Sequence, residues 1–443
     1  MKLPYDALET RLAQSPVSMR IQLPGGDCVG PANAALTLTL RDQTAIAALA
    51  TGAIGTVGAD IVEGRIQFEG TVRDLMVAAQ ALLNTDPAQD EHTSWWRQAL
   101  AWYVSKARHT TAKDAQNIQF HYDISDDFYA LWLDPYRVYS CAYYRTPEMT
   151  LAQAQEAKLD HICRKLHLKP GERLLDIGSG WGGMLLWAAE HYGIDGTGIT
   201  LSKNQYAYVQ KCIEERGLTG RVRVLLQDYR ELQVTEPFDK ISSIGMFEHV
   251  GRAQMPTYVG TLRRLLKPGG LAMNHGITAG GVDNTELGAG MGEFIDRYIF
   301  PGGELLHVSV ALHEIAKAGL EMVDTENIRP HYAKTLWAWS DALEAQLPSA
   351  RAILVAQHGL EQGEQALRAY RLYLAGCALG FEQGWVALHQ ILMTHPDGQQ
   401  GTGTMPGAQS CYPFNREYIY APPQAGATPA LPPQAGSTPK RKP

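Results

Sequence analysis

The stretch Asp176-Ile177-Gly178-Ser179-Gly180-Trp181-Gly182-Gly183 limits the fold of this chain more than any other. It closes an apolar run, Arg173-Leu174-Leu175-Asp176-Ile177, and opens a segment rich in Leu and Ala. Glycines at such a turn let backbone pass close to a ligand, and a carboxylate at the strand end can organise the loop or meet polar ligand atoms. Several nucleotide-binding folds share a glycine turn, so the flanking elements decide its meaning.

Those elements alternate. An amphipathic helix over Leu159 to Leu166 precedes the turn Lys169-Pro170-Gly171, and further strands are predicted at Gly196 to Thr200, Val222 to Gln227, Phe238 to Ile244 and Gly270 to Asn274. Helical segments separate the first four strands. This order predicts an α/β fold, a doubly wound and mostly parallel Rossmann-like sheet. Residues from about 305 to 395 read as helix-rich, with a late strand at Met322 to Asn327.

Upstream, Ser18 to Leu23 and Ala35 to Leu40 alternate as strands do, before an apolar helix over Val72 to Leu83. The organisation read from these shifts is a small α+β domain over residues 1–90, a linking helix over 91–117, a catalytic domain over 118–395 and an extension over 396–443. The extension contains two related runs, Pro422 to Pro429 and Pro432 to Pro439, and ends on Lys440-Arg441-Lys442-Pro443, the composition of a disordered tail.

Hydrophobic residues make up 45% of the 443 and charged residues 19%, enough apolar surface to order most of the chain. A net charge of -7 excludes a nucleic-acid protein that works by neutralising phosphates. The six cysteines include no Cys-x-x-Cys pair and no His-Glu-x-x-His motif occurs, so free thiols and no metal are expected. No apolar run reaches the roughly 18 to 20 residues of a membrane span, and the first residues lack a signal-peptide apolar region, so the expected location is cytoplasmic.

The ends of the next two strands sharpen the reading. A nicotinamide fold places an acidic residue where this chain has Gly198-Ile199-Thr200-Leu201-Ser202, and the third strand ends Leu226-Gln227-Asp228-Tyr229, where an amide and a carboxylate could read an adenine edge. This arrangement resembles the S-adenosylmethionine methyltransferases. Four separate segments then look like the cyclopropane-fatty-acid synthase family: His121-Tyr122-Asp123-Ile124-Ser125, Tyr139-Ser140-Cys141-Ala142-Tyr143, Gly245-Met246-Phe247-Glu248-His249-Val250-Gly251 and Tyr298-Ile299-Phe300-Pro301-Gly302. The resemblance runs from about residue 118 to 392, and Val62 to Gly70 is similar to the smaller domain that precedes it in bacterial members.

The resemblance implies methylene transfer from S-adenosylmethionine to the cis double bond of an unsaturated phospholipid acyl chain. The alkene attacks the activated methyl, a carbocation forms, and loss of a proton closes the ring. Such chemistry needs a dry apolar tunnel, a base and groups that stabilise a cation. Cofactor contacts implied are Asp176, Gly178, Gly180, Thr200, Ser202, Gln205, Gln227 and Asp228, with Tyr139 and Ser140 over the sulfonium end. The family's base is a bound bicarbonate, whose pocket maps onto Cys141 and Ile277 (backbone), Glu248, His275 and Tyr332. His275 and Tyr332 can donate, and Glu248 can share a proton with the ion. His275-Gly276-Ile277 is read as following the fifth strand. Cys377 matches a late family cysteine on an apolar helix, where packing and chemistry both remain open. Two departures stand out: Asp126 where Asn is usual, and Ser179 where many members carry Cys.

Thr93 to Lys113 mixes Trp95, Trp96, Trp102 and Tyr103 with Arg97, Lys106, Arg108 and Lys113, which suits either a helix at an anionic membrane face or an interdomain helix with core aromatics. The expected partners are thus membrane phospholipid, by peripheral contact at the inner face, and no nucleic acid; homodimerisation stays open. Two other readings stay open as well: a fatty-acyl methyltransferase that leaves a methyl or methylene branch, and a non-catalytic lipid-binding protein.

Overall fold

The computed structural model describes residues 15–42, 44–83, 125–282, 287–397 and 410–420, together with Leu12, Pro87 and Ala88. The predicted linking helix, the run His121 to Ile124 and the repetitive tail lie outside the described residues.

The N-terminal part carries a four-stranded sheet of β1 (Met19–Gln22), β2 (Cys28–Val29), β3 (Leu36–Leu40) and β4 (Ile66–Glu69), ordered β2-β1-β3-β4. The alternation read from the sequence is the reason for β3: Leu36, Leu38 and Leu40 are buried while Thr37 and Thr39 are half-buried. Two helices the strand pattern did not announce, Thr44–Thr51 and Ile54–Val62, fill the β3–β4 connection. The helix Val72–Leu82 is started by Thr71, whose hydroxyl accepts the Asp74 amide at 3.0 Å.

The larger sheet contains β5 (Arg173–Ile177), β6 (Asp195–Thr200), β7 (Val222–Leu226), β8 (Phe238–Ile244), β9 (Leu266–Ala279), β10 (Glu321–Asn327) and β11 (Val386–Thr394), ordered β10-β11-β9-β8-β5-β6-β7. β5 to β9 run parallel, and β11 lies antiparallel between β9 and β10. The chain leaves β5 for β6 and β7 on one side and returns to β8 and β9 on the other, so a crevice opens at the carboxyl ends of β5 and β8. The predicted doubly wound α/β class is therefore the observed one.

Two boundaries differ from the sequence reading for local reasons. The helix predicted from Leu159 begins at Leu151, because Thr150 and Gln153 form a reciprocal capping box two turns earlier. β9 extends well past Asn274, because β11 pairs with it from Leu271 through Ala279. His275, Gly276 and Ile277 accordingly lie inside β9 rather than after it, a correction to the sequence reading.

The helix Leu360–Gln383 packs against Arg329–Glu344 and also against Ile54–Val62 and Val72–Leu82, which seats the N-terminal helices on the part of the chain that carries the larger sheet. A single buried cluster runs from Leu38 and Ile61 to Trp132, Trp339 and Tyr370. Segment 410–420 returns to the sheet edge, where the Tyr412 hydroxyl donates to Glu321 Oε1 at 2.7 Å and Arg416 donates to the Val323 carbonyl at 2.9 Å. All six cysteines are free thiols. No helix among the described residues is long and apolar enough to cross a membrane.

Candidate active site

Two cavities meet over the carboxyl ends of the parallel strands. The first, of about 140 Å³, is lined by Tyr139, Ser140, Asp176, Gly178, Gly180, Thr200, Gln205, Gln227 and Asp228. Its floor is the glycine turn. Gly178 and Gly180 hold φ of +73° and +54°, the left-handed region that disfavours a side chain, and a Cβ on Gly180 would meet no protein atom within 4 Å. That position is open for a ligand to approach.

Several polar groups in this cavity are already engaged. Asp176 Oδ1 accepts the Ser242 hydroxyl at 2.6 Å, and burial pushes its carboxyl up to about 6. The Thr200 hydroxyl donates to Gln205 Oε1 at 2.9 Å. Asp228 is clasped by Arg230, whose Nε donates to Oδ1 at 2.9 Å and Nη2 to Oδ2 at 2.7 Å. The carboxylate expected to read an adenine edge is thus held bidentately by a neighbour. Ser202 does not line the cavity; its hydroxyl accepts the Gln205 amide at 3.3 Å and caps the helix Lys203–Glu215. Ser followed three residues later by Gln is an N-cap signal the sequence already contained.

The cavity also takes in side chains the sequence reading missed, among them Arg137, Lys158 and His249. Asp126, one of the two departures from the family pattern, lies 3.5 Å from Arg137. Lys158 had a signal: Ala154, Gln155, Lys158, His161 and Ile162 share the buried stripe of one helix, and a lysine on such a stripe is unusual.

The second cavity, of about 240 Å³, is apolar over most of its wall. Tyr139, Ser140, Gly245 and His249 line both cavities and mark their junction. Cys141, Glu248, His275, Ile277, Tyr332 and Cys377, drawn from five separate stretches of chain, all reach this second space. The N-terminal helices contribute as well, with Gly55, Gly58, Met76 and Ala79 in the wall.

Glu248 sits on the short 3-10 helix Phe247–His249 just beyond β8. Its Oε1 accepts the Ile277 amide at 2.7 Å, its Oε2 is buried with no hydrogen-bond partner among the described residues, and burial pushes the carboxyl up to about 7. His275 is fully buried, and burial keeps its ring neutral by pushing its pKa well below the ordinary value. The Gln390 amide stands 3.2 Å from Nδ1; as a donor there it leaves the ring proton on Nε2, which has no partner among the described residues. Tyr332 packs its ring 4.6 Å from Phe381. Cys377 is a wall residue whose thiol burial pushes up to about 12, so it stays protonated. Burial likewise raises the Cys141 thiol. Among the described residues no group of three or more His, Cys, Asp or Glu could hold a metal ion.

A family profile described as mycolic acid cyclopropane synthetase matches residues 109–391. A probable fatty acid methyltransferase of Pseudomonas putida is 44% identical over 364 residues, 82% of this chain and 87% of its own length. The solved cyclopropane synthase MmaA2 from Mycobacterium tuberculosis superposes with a TM-score of 0.59 at 38% identity, covering 63% of this chain and 98% of that one. The mycolic acid cyclopropane synthase CmaA1, solved with SAH and CTAB, gives 0.57 at 37% identity, over 63% of this chain and 98% of its own.

Proposed function

The chain belongs to the mycolic acid cyclopropane synthetase family, and on that premise we propose that it is an S-adenosylmethionine-dependent transferase that adds a methylene across the cis double bond of an unsaturated phospholipid acyl chain. One observation carries this reading. A glycine-floored cavity opens at Tyr139, Ser140, Gly245 and His249 into an apolar one lined by Glu248 and His275, whose Oε2 and Nε2 atoms are buried with no partner among the described residues.

S-adenosylmethionine supplies an electrophilic methyl when bound, and the double bond supplies the electrons. Tyr139 and Ser140 stand at the junction where that methyl must cross, with Gly180 giving room behind it. The apolar wall keeps water from an electron-deficient carbon, and Tyr139, Phe300, Tyr332 and Tyr373 supply aromatic rings to that wall.

The polar groups of Glu248 and His275 fit a small oxyanion. His275 Nε2 offers a hydrogen, Tyr332 lines the same cavity, and Glu248 can accept or donate depending on its protonation. Bicarbonate held there would supply a base for the departing proton. The Ile277 amide, expected among its contacts, is given instead to Glu248, which orients that carboxyl. The remaining duty of the protein is to keep His275 neutral and Glu248 able to hold a proton, which burial favours, while the Ile277 amide fixes the direction of the carboxyl.

The deciding experiment incubates the protein with S-adenosylmethionine and vesicles of unsaturated phospholipid, then examines the acyl chains. Cyclopropyl protons in the NMR spectrum bear out ring closure. The second reading, a methyl or methylene branch without a ring, is favoured by the name of the Pseudomonas putida relative; both products can gain the same mass, so the proton spectrum separates them. Lipid unchanged in both respects rejects the reading. Membrane contact is proposed to come from Arg97, Lys106, Arg108 and Lys113, each worth up to ~1 kcal/mol near an anionic surface. A variant with all four changed to Gln should sediment less with anionic vesicles, and parental sedimentation rejects that role.

A further inference from the structure

Three basic side chains besides His249 line the cofactor cavity, and two of them face carboxylates. Arg230 is paired with Asp228 at 2.7 Å and Arg137 with Asp126 at 3.5 Å. Lys158 is the third. It is 1% exposed, forms no ion pair among the described residues, and donates from Nζ to Ser140 Oγ at 3.0 Å. The carboxyls whose charge reaches it, Asp134 and Asp176, are held by other donors: Asp134 accepts the Tyr136 and Val138 amides at 2.8 and 2.9 Å, and Asp176 accepts Ser242. A buried ammonium with a single neutral partner is costly, and it gains most when an anion is delivered to it.

Its place in the cavity says which anion. Thr200, Gln205, Gln227 and Asp228 surround the far end, at β6 and β7, while Ser140 belongs to both cavities. A cofactor whose methyl must cross the junction puts its sulfur there, and the amino-acid arm branches from that sulfur. S-adenosylmethionine carries a sulfonium, an ammonium and one carboxylate. Without the carboxylate, Lys158 would be a third positive charge in one enclosed space.

Resting on the cofactor assignment above, we propose that Lys158 and Ser140 form the subsite for the α-carboxylate of S-adenosylmethionine, with the Lys158 ammonium as its buried counter-ion. Burial, which pushes the Lys158 ammonium down to about 8 in the ligand-free protein, is the same effect that a bound carboxylate would oppose. The pair therefore ties the orientation of the Tyr139-Ser140-Cys141 segment, which borders the reacting carbon, to cofactor occupancy.

The test is calorimetric and needs no turnover. The full chain is titrated with S-adenosylhomocysteine and with its decarboxylated analogue, adenosylthiopropylamine. The parent is expected to favour the carboxylate-bearing ligand by at least about tenfold, the scale of one charge-assisted hydrogen bond. Lys158→Met, close in length and suited to a buried site, should erase that preference by weakening S-adenosylhomocysteine alone. Ser140→Ala should keep most of the preference, since the ammonium remains. Equal weakening of both ligands by Lys158→Met would mean the lysine only props Ser140, and unchanged affinities would mean it faces no ligand; either overturns the proposal. A parent that binds neither ligand rejects the cofactor assignment itself. Circular dichroism and melting of each variant separate loss of binding from loss of fold.

Discussion

Glu248 Oε1 accepts the backbone amide of Ile277 at 2.7 Å, joining a residue just past β8 to one inside β9. The bond uses one carboxyl oxygen to fix the side chain and leaves the other, Oε2, buried in the wall of the apolar cavity with no partner among the described residues. A backbone donor cannot be lost by side-chain substitution of Ile277, so the aim of the carboxyl depends on the strand pairing alone.

Glu248→Gln preserves the shape, and the Gln oxygen can still accept the Ile277 amide while its amide nitrogen takes the place of Oε2. The proton-sharing group is gone. Turnover should fall by ~10² to 10⁴, the usual contribution of a general acid–base group. Cofactor affinity by calorimetry should stay near parental, and bicarbonate depletion should slow the parent but not the variant further. Parental rates in both Glu248→Gln and His275→Ala, with no bicarbonate effect, would remove the site from this place.

Stability carries an independent signature of the same residue. Burial pushes the folded carboxyl up to about 7, from the ordinary 4.5. Between those values the unfolded chain releases a proton that the folded one keeps, so stability is fully present below about pH 4.5 and declines as pH rises through 7. The decline is on the order of 3 kcal/mol. Thermal melting of Glu248→Gln should therefore match the parent near pH 5 and exceed it by a few degrees at pH 8. A difference that does not change with pH contradicts the burial argument.

Gly180→Ala tests the glycine turn. The new Cβ meets no protein atom within 4 Å, and the cost to the fold is the left-handed backbone, roughly 1 kcal/mol. The cofactor should suffer more, because the methyl enters the space its backbone-hugging portion needs. Calorimetry should show at least about tenfold weaker binding with a melting shift of only a few degrees. Unchanged affinity rejects the placement.

Cys377 and Gly376 separate chemistry from shape. Because its thiol stays protonated, Cys377→Ala should keep turnover within a few-fold and the parent should alkylate slowly at pH 7.5. Gly376 has only Met76 Sδ near it, at 4.0 Å, and lines the same wall. Gly376→Leu should narrow the cavity and shift products toward shorter or less bulky acyl chains, read from the fatty-acid profile of mixed vesicles. Loss of turnover in Cys377→Ala with intact fold would restore a chemical role for the thiol.

The local grammar of the chain was enough for the glycine turn, for β5 and β8 at their observed ends, and for most of the alternation that makes the sheet doubly wound, although the helix expected between the third and fourth strands is absent from the β7–β8 connection. These depend on neighbours within a few residues: an apolar run, a turn residue, a period. It was also enough to name Glu248, His275 and Tyr332 as one group through a family resemblance, and the structure brings all three to one cavity. Ser202 could have been separated from the cofactor residues by its capping pattern, which is local too.

The rest required the fold. That β11 inserts between β9 and β10, and that Gly58 and Ala79 of the N-terminal helices wall the same cavity as Tyr332 and Cys377, are relations between surfaces, some of them hundreds of residues apart. The burial of Lys158 is of the same kind, since a helix periodicity shows which face is inward but not which cavity lies there. Sequence determined which elements form, because propensity, capping and period act over short range. Tertiary structure alone decided which polar atoms are left without partners, because desolvation and hydrogen-bond satisfaction are properties of the assembled interior.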